Sequence, residues 1–212
     1  MEIPGGFFDE SRHLYRNTKG AIVPSSTQVY SILGMVDFSM ISPKVMEWKQ
    51  AFGIAFHRSV ELLVKDELDW DTVDDALIPI VTGVEMRLKS MSFELISCES
   101  RGVYNISGME FGATSDLTGT IMHHGSRRNA VIDLKSGVKF SKTWEWQLGS
   151  YIAAQPKVPL GWLGIILQSD MTGKIIPHHL KDVEAAKREF QILLAAANLS
   201  LNAGLAKLKG GD

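Results

Sequence analysis

Two aspartates and a lysine in the middle of the chain have the types and spacing to do chemistry. Asp116 and Asp133 flank a predicted turn, and residues whose numbers add up to 249 lie opposite each other if that turn is centred between His124 and Gly125. Because 116 and 133 add up to 249, this register predicts the two carboxylates side by side on neighbouring strands. Lys135, two residues after Asp133, then lies on the same face of its strand.

Two facing carboxylates repel each other, and a divalent cation relieves that repulsion. Hard oxygen ligands with open positions for water suit Mg²⁺ or Mn²⁺. The amine of Lys135 could activate an attacking water or neutralise charge on a phosphate, so the pattern favours metal-assisted phosphodiester hydrolysis. The alternative is that Asp116 caps a turn while Asp133 and Lys135 form a surface ion pair, and a one-residue slip in register would favour it.

The elements that position these residues can be predicted from periodicity and from cap and turn residues. Helices are predicted over 28–33, 43–64 and 72–91, followed by strands over 93–106, 109–122 and 130–135. A helix over 143–154, strands over 160–168 and 174–178, and a final helix over 182–205 complete the order. This order predicts an α/β fold with a mixed sheet flanked by helices. We expect a single domain, 1–212, with a mainly helical part (1–91), a catalytic sheet and helix (92–181) and a C-terminal helix (182–212).

Composition excludes several classes of protein. The 212 residues are 45% hydrophobic and 22% charged, which is typical of a globular domain. With one cysteine, Cys98, the chain has no internal disulfide and no four-cysteine iron–sulfur cluster of its own. A net charge of −2 gives no global basic signature for nucleic acid, although local lysines and arginines can still bind phosphates. No secretory pattern or bilayer-length apolar run is found, so we expect no membrane association and a cytoplasmic location.

Four motifs resemble those of one nuclease family. The segment from Val131 to Gly137 resembles the hallmark of the RecB-like branch of the PD-(D/E)XK nuclease superfamily, an apolar strand carrying Asp-x-Lys followed by Ser or Thr and Gly. Residues 112–119 are similar to the preceding strand of that family, whose aspartate is the first metal ligand. Gln147 and Tyr151 match its helix motif Gln-x-x-x-Tyr, and residues 53–57 resemble its upstream helix with a metal-binding histidine. The motifs occur in the family's order.

The resemblance implies a restriction-endonuclease-like sheet with an N-terminal helical region over the active site. It implies four metal ligands, namely His57, Asp116, Asp133 and the backbone carbonyl of Leu134. It also implies Lys135 as the catalytic lysine, acting with Asp116 and Asp133, and Gln147 with Tyr151 as residues that orient the lysine or the DNA. Without the resemblance, a lone helical histidine such as His57 is more often structural.

The implied activity is that of a DNA exonuclease that uses one or two Mg²⁺ or Mn²⁺ ions. Its substrate would be single-stranded DNA or duplex ends, in DNA replication, recombination or repair. The single cysteine and the absence of a Gly-x-x-x-x-Gly-Lys-Ser/Thr loop predict no iron–sulfur cluster and no bound nucleotide. A stand-alone, phage-type nuclease is a better analogy than a relative with an iron–sulfur cluster or a fused helicase. If phage-encoded, the protein would act in the host cytoplasm. Recombination or replication proteins and a second copy of the chain are candidate partners.

Two rival functions stay open: a structure-specific endonuclease on the same fold, and a catalytically silent DNA-binding module. Lys139 and Lys142, just past Gly137, are candidates for phosphate binding. Trp144 could stack on an unpaired base, although a core position is the usual role of a tryptophan. Glu94 or Glu99 on the first long strand could add a carboxylate, and the sequence does not choose between them.

Overall fold

The chain contains both strands and helices in the computed structural model, which describes residues 1–36, 41–137, 139–170 and 172–208. The chain begins with four short strands, β1 (Glu2–Ile3), β2 (Gly6–Asp9), β3 (Leu14–Asn17) and β4 (Ile22–Val23), which form one antiparallel sheet. Three helices follow, α1 (Ser26–Ile32), α2 (Pro43–Val64) and α3 (Ile78–Ser90). The remaining elements are β5 (Glu94–Ile106), β6 (Met109–His123), β7 (Ser126–Ser136), α4 (Lys142–Ala153), β8 (Leu163–Ser169), β9 (Ile175–His179) and α5 (Val183–Asn202).

The central sheet has the order β5-β6-β7-β8-β9. Its neighbours are antiparallel except for β7 and β8, which are parallel and are joined through α4. A parallel pair needs such a crossover because its strands start at the same edge of the sheet. The predicted α/β class, with a mixed sheet flanked by helices, is confirmed, and the architecture is compatible with that of mixed-sheet nucleases.

A two-residue turn fixes the register of β6 against β7. His124 and Gly125 both have positive φ angles, 48° and 76°. Positive φ at both central residues is typical of a type I′ turn, whose twist matches that of the flanking strands. In every pair of the ladder, from His123↔Ser126 to Leu117↔Ile132, the residue numbers add up to 249, so the predicted register is confirmed.

A second tight turn sets the register between β5 and β6. Ser107 and Gly108 have φ angles of 53° and 82°, and the pairs from Ile106↔Met109 back to Cys98↔Leu117 add up to 215. This register, which was not predicted, aligns Glu99 with Asp116. An irregularity between Leu95 and Ser97 shifts the pairing only at the distal end.

The core has a layer on each side of the central sheet. One layer packs α2 and α3 on the sheet and contains Phe56 and Ile80; the other packs α1, α4 and α5 and contains Phe190. Ile132 and Leu134, which strand alternation predicted to face the core, are fully buried in the first layer. Asp133 and Lys135, which alternate with them on the other face of β7, are therefore carried by a strand that is packed into the core.

The N-terminal part differs from the prediction of a mainly helical region, because residues 2–23 form the four-stranded sheet. Its strands have two to four residues, too short for a clear alternation, and packing of Phe8, Tyr15 and Val23 against Val103 stabilises them. The third predicted helix begins at residue 78 instead of 72, because Pro79 occupies its first turn, where a missing N–H costs nothing.

The C-terminal helix ends at Asn202, and residues 209–212 of the predicted C-terminal segment lie outside the described residues. No helix in the described parts of the chain is long and apolar enough to cross a membrane.

Candidate active site

A cleft of about 750 Å³ opens between α2, the N-terminal sheet and the central strands β5–β7. The site residues that the sequence predicted and that line it are His57, Asp116, Lys135, Gln147 and Tyr151. Helix α2 forms one wall, so the structure has a helix of the N-terminal region at the site, as the prediction stated. The N-terminal sheet, which was not predicted, contributes His13 and Tyr15 to the opposite part of the lining.

Three side chains meet in this cleft as a potential metal site. His57, Glu99 and Asp116 each offer a ligand atom, and these atoms lie within 4.8 Å of one another. Nδ1 of His57 is 3.4 Å from Oδ1 of Asp116 and 3.8 Å from Oε1 of Glu99. The two carboxylates are hard oxygen donors that suit Mg²⁺ or Mn²⁺ with open positions for water, and the imidazole is the softer donor of the set.

Glu99 is the carboxylate that the sequence could not choose. The other candidate, Glu94, forms an ion pair of 2.6 Å with Arg127 near the β6–β7 turn, away from the cleft. The signal for Glu99 was present in the sequence, because the Ser107–Gly108 turn aligns it with Asp116 as the next turn aligns Asp116 with Asp133. Three acidic residues on three adjacent strands therefore share one level of the sheet.

The backbone of Glu99 adopts a conformation that is rare for a glutamate. Its φ angle is +47°, in the left-handed region. A non-glycine residue held there costs on the order of 1–3 kcal/mol, and such residues cluster at functional sites. The strain falls at the residue whose carboxylate completes the potential metal site.

His57 carries a strongly perturbed pKa because of the acids around it. Burial by itself lowers the pKa of this imidazole, but the charge and hydrogen bonding of Asp116, with a contribution from Glu99, raise it to about 10. In the metal-free protein, His57 is therefore a cation that balances the carboxylates. A metal ion at this position would replace that proton.

Asp116 is fixed by a bond to the neighbouring strand. Its Oδ2 atom accepts a hydrogen bond of 2.7 Å from the backbone N–H of Leu134. Burial raises the pKa of Asp116, but the charge and hydrogen bonding of His57, together with the Lys135 charge and the Leu134 N–H, outweigh burial and the net direction is downwards. Asp116 is therefore ionised, with Oδ1 towards His57. The contact of Leu134 involves its amide; its carbonyl stays a predicted ligand.

The side chain of Asp133, a predicted metal ligand, is paired with Lys135. This side chain is 1% exposed, and Nζ of Lys135 lies 2.9 Å from each of its oxygens, with a hydrogen bond to Oδ1. The group of ligand atoms that lie within 4.8 Å of one another contains His57, Glu99 and Asp116 but not Asp133, whose close partner is Lys135. Oδ2 is buried without a hydrogen bond, and burial together with the nearby Asp116 charge raises the pKa of Asp133 to about 7 against the pull of Lys135. This excess of buried acid is consistent with a site built for a cation.

A chain of hydrogen bonds connects the lysine to helix α4. Nζ of Lys135 donates to Oε1 of Gln147 at 2.9 Å, and the amide nitrogen of Gln147 donates to the hydroxyl of Tyr151. Burial raises the pKa of Tyr151 well above its usual value, so the hydroxyl stays protonated. The spacing of four residues places Gln147 and Tyr151 on one helical face, and Gln147 contacts both Lys135 and Tyr151.

The three predicted DNA-binding residues, Lys139, Lys142 and Trp144, lie outside the lining of the cleft that contains the acids. Lys142 forms ion pairs with Glu145 and, at 3.2 Å, with Glu189. Trp144 packs edge-on against Phe140 and lines a separate cleft of about 480 Å³. Lys139 is exposed, and none of the three lines the main cleft in the described part of the chain. Other cations do line it: Lys49, Arg58 and Arg101.

Comparisons with known proteins do not identify a family. No protein-family model matches the chain, and no curated protein matches it. Several solved structures are similar to it, among them two with low TM-scores. One is a provisionally named exonuclease from Eubacterium rectale, 11% identical, with a TM-score of 0.46, covering 84% of this chain and 74% of the other. The second is the protein SSO0001, 15% identical, with a TM-score of 0.32 and 82% of each chain covered.

Proposed function

We propose that this protein is a metal-dependent deoxyribonuclease of the PD-(D/E)XK type, acting as an exonuclease in DNA replication, recombination or repair. One observation carries the proposal: His57, Glu99 and Asp116 converge in an open cleft, and Lys135 lies in the same cleft with its amine on Asp133. A structural role does not explain three acids on adjacent strands, because like charges at that separation destabilise a sheet. A hydrolytic site explains both the acids and the lysine.

The residues have distinct roles in this proposal. His57, Glu99 and Asp116 would hold Mg²⁺ or Mn²⁺, with Asp133 and the Leu134 carbonyl beside them. A bound ion would polarise a phosphate oxygen and lower the pKa of a water molecule. Lys135 donates hydrogen bonds to the attacking water or to a phosphate oxygen as negative charge builds there.

Gln147 keeps the Lys135 amine in place, since its Oε1 accepts a hydrogen bond from Nζ at 2.9 Å. Tyr151 is buried and fixes the other end of Gln147 through its hydroxyl. An amine held at both Asp133 and Gln147 loses less freedom when the substrate binds, which is how a positioned group contributes to rate.

The preference for exonuclease action comes from the walls of the cleft. Helix α2 and the N-terminal sheet both line the cleft that contains the acids, and walls from two separate segments would favour entry of a strand end. A structure-specific endonuclease on the same fold and a silent DNA-binding module are the two alternatives that the experiment must separate.

The test uses end-labelled single-stranded and duplex DNA, together with closed circular single-stranded DNA, in Mg²⁺, Mn²⁺ or EDTA. We expect metal-dependent shortening of linear DNA, with closed circles intact, and a loss of about 100-fold or more in Lys135→Ala. Lys89→Ala is the matched control, because Lys89 is exposed on α3 and pairs with Glu85. Cleavage of circles would assign an endonuclease, and binding without cleavage in any metal would assign the silent module.

A further inference from the structure

Arg101 lies next to the potential metal site. It is two residues after Glu99 on β5 and lines the same cleft, with 31% of its side chain exposed. Its Cζ atom is 5.0 Å from the centroid of the Phe8 ring, so the guanidinium stacks on the N-terminal sheet. Stacking on an aromatic face holds the guanidinium in one orientation and leaves its N–H edges open.

The donors of Arg101 have no close acceptor in the described structure. Nη2 is 3.8 Å from Glu99 and Nη1 is 3.7 Å from Glu10, both longer than a hydrogen bond. Nε is buried and has no hydrogen-bond partner. A guanidinium has five N–H donors, and a buried donor without an acceptor costs free energy. A bound anion would satisfy these donors.

Two other positive groups of the cleft, Arg58 and Lys135, differ in this respect. Arg58 is bonded to Glu61 at 2.6 Å, and Lys135 is bonded to Asp133 and Gln147. Their charges are therefore already compensated. Arg101 is held by two carboxylates at long range, which keep it in the cleft without using its donors.

Glu99 connects Arg101 to the metal site. One carboxylate oxygen of Glu99 is 3.8 Å from His57 and the other is 3.8 Å from Arg101, so a single side chain separates the two groups. A phosphate bound at Arg101 would therefore be next to the phosphate bound at the metal site, on the same DNA strand. His13, at the tip of the β2–β3 hairpin, also lines this part of the cleft.

We propose that Arg101 is a phosphate-binding residue that takes the phosphodiester adjacent to the scissile one, so that the substrate is a strand with at least two phosphates in the cleft. The inference rests on the proposed nuclease function and deepens it. The planar fork of an arginine matches two phosphate oxygens, which gives position as well as affinity. Arg101 would thereby set which phosphate reaches the acids.

The test is a series of fluorescent oligonucleotides, each with one phosphate replaced by a neutral methylphosphonate. Binding is measured by anisotropy in Ca²⁺, which requires no cleavage, for the native protein, Arg101→Ala and Arg101→Lys. In the native protein, the methylphosphonate at one position should weaken binding about 10- to 100-fold. Arg101→Ala should weaken binding of the unmodified strand by a similar factor and show no further loss at that position, because the two changes remove the same contact.

Arg188→Ala is the matched control, since Arg188 is exposed on α5 and 3.9 Å from Asp182. Arg101→Lys, which keeps the charge but not the fork, should recover part of the affinity and shows that the fold is intact. Full additivity at every position would overturn the inference. A position-specific loss with no cleavage in Mg²⁺ or Mn²⁺ would overturn the nuclease proposal and leave the phosphate site standing.

Discussion

The carboxylate of Asp116 accepts a hydrogen bond from the backbone N–H of Leu134, just beyond Leu117↔Ile132, the last pair of the β6–β7 ladder. The side chain thus continues the connection between the strands where backbone pairing ends. This bond fixes one oxygen of Asp116 and leaves the other facing His57. The position of the first acid is therefore set by the sheet itself, and the other acids are placed relative to it.

Glu99→Gln should weaken metal binding, because it removes one of the two carboxylates near His57. We expect the Mg²⁺ concentration for half-maximal cleavage to rise about 10- to 100-fold, with the fold unchanged. Glu94→Gln, on the same strand but paired with Arg127, is the control and should behave like the native protein. Equal metal requirements for both variants would remove Glu99 from the ligand set.

Metal binding should release a proton from His57. The pKa of this imidazole is raised to about 10 in the metal-free protein, so it is protonated at pH 8, whereas a histidine ligand must be neutral. Calorimetric titration with Mn²⁺ at pH 8, in two buffers of different ionisation enthalpy, should give about one proton released per site. His57→Gln should release fewer protons, and a native protein that releases none would contradict the assignment.

Asp133→Asn should abolish cleavage yet stabilise the metal-free protein at pH 8. The pKa of Asp133 is raised from 3.8 to about 7, so native stability falls as the pH rises through that window, while the asparagine does not titrate. We expect the variant to be more stable by roughly 1–3 kcal/mol at pH 8 in EDTA, because it removes the cost of ionising a buried carboxyl. Urea unfolding at pH 8 and pH 4 measures the free energy of unfolding of both proteins. The difference between the variant and the native protein should be smaller at pH 4, where Asp133 is protonated in the native protein.

Tyr151→Phe should lower kcat without a comparable change in KM. The substitution removes the hydroxyl that accepts from Gln147 and so loosens the support of Lys135. A loss of about 10-fold in kcat is expected for one hydrogen bond that acts through positioning. Tyr104→Phe is the control, because Tyr104 packs against Phe111 outside the cleft. A change confined to KM would instead assign Tyr151 to DNA contact.

Two glycine substitutions should have opposite effects on stability. At Gly112 an added Cβ would lie 2.0 Å from the ring of Tyr15, so Gly112→Ala should destabilise by about 1–3 kcal/mol as the N-terminal sheet shifts. At Gly53, within α2, a Cβ would meet nothing within 4 Å. Gly53→Ala should therefore stabilise by about 0.5–1 kcal/mol through helix propensity. Urea midpoints compare the two with the native protein.

The sequence by itself determined the approximate positions of the five strands of the central sheet and the alignment of two acids within it. A two-residue turn leaves one register open to the strands, so the position of His124 and Gly125 was enough to align Asp116 with Asp133. Apolar alternation then placed Ile132 and Leu134 in the core and Lys135 beside Asp133. These are local relationships, fixed by chain geometry over a few residues.

Only the tertiary structure decided which groups complete the site. The left-handed backbone at Glu99, the Lys135 amine on Asp133 and the Phe8 ring beneath Arg101 depend on contacts between segments far apart in the chain. The N-terminal sheet was missed for the same reason, since strands of two to four residues are stabilised by what they pack against. The positions of side chains could be predicted where local backbone geometry fixes them. Where packing between distant segments fixes them, only the tertiary structure shows them.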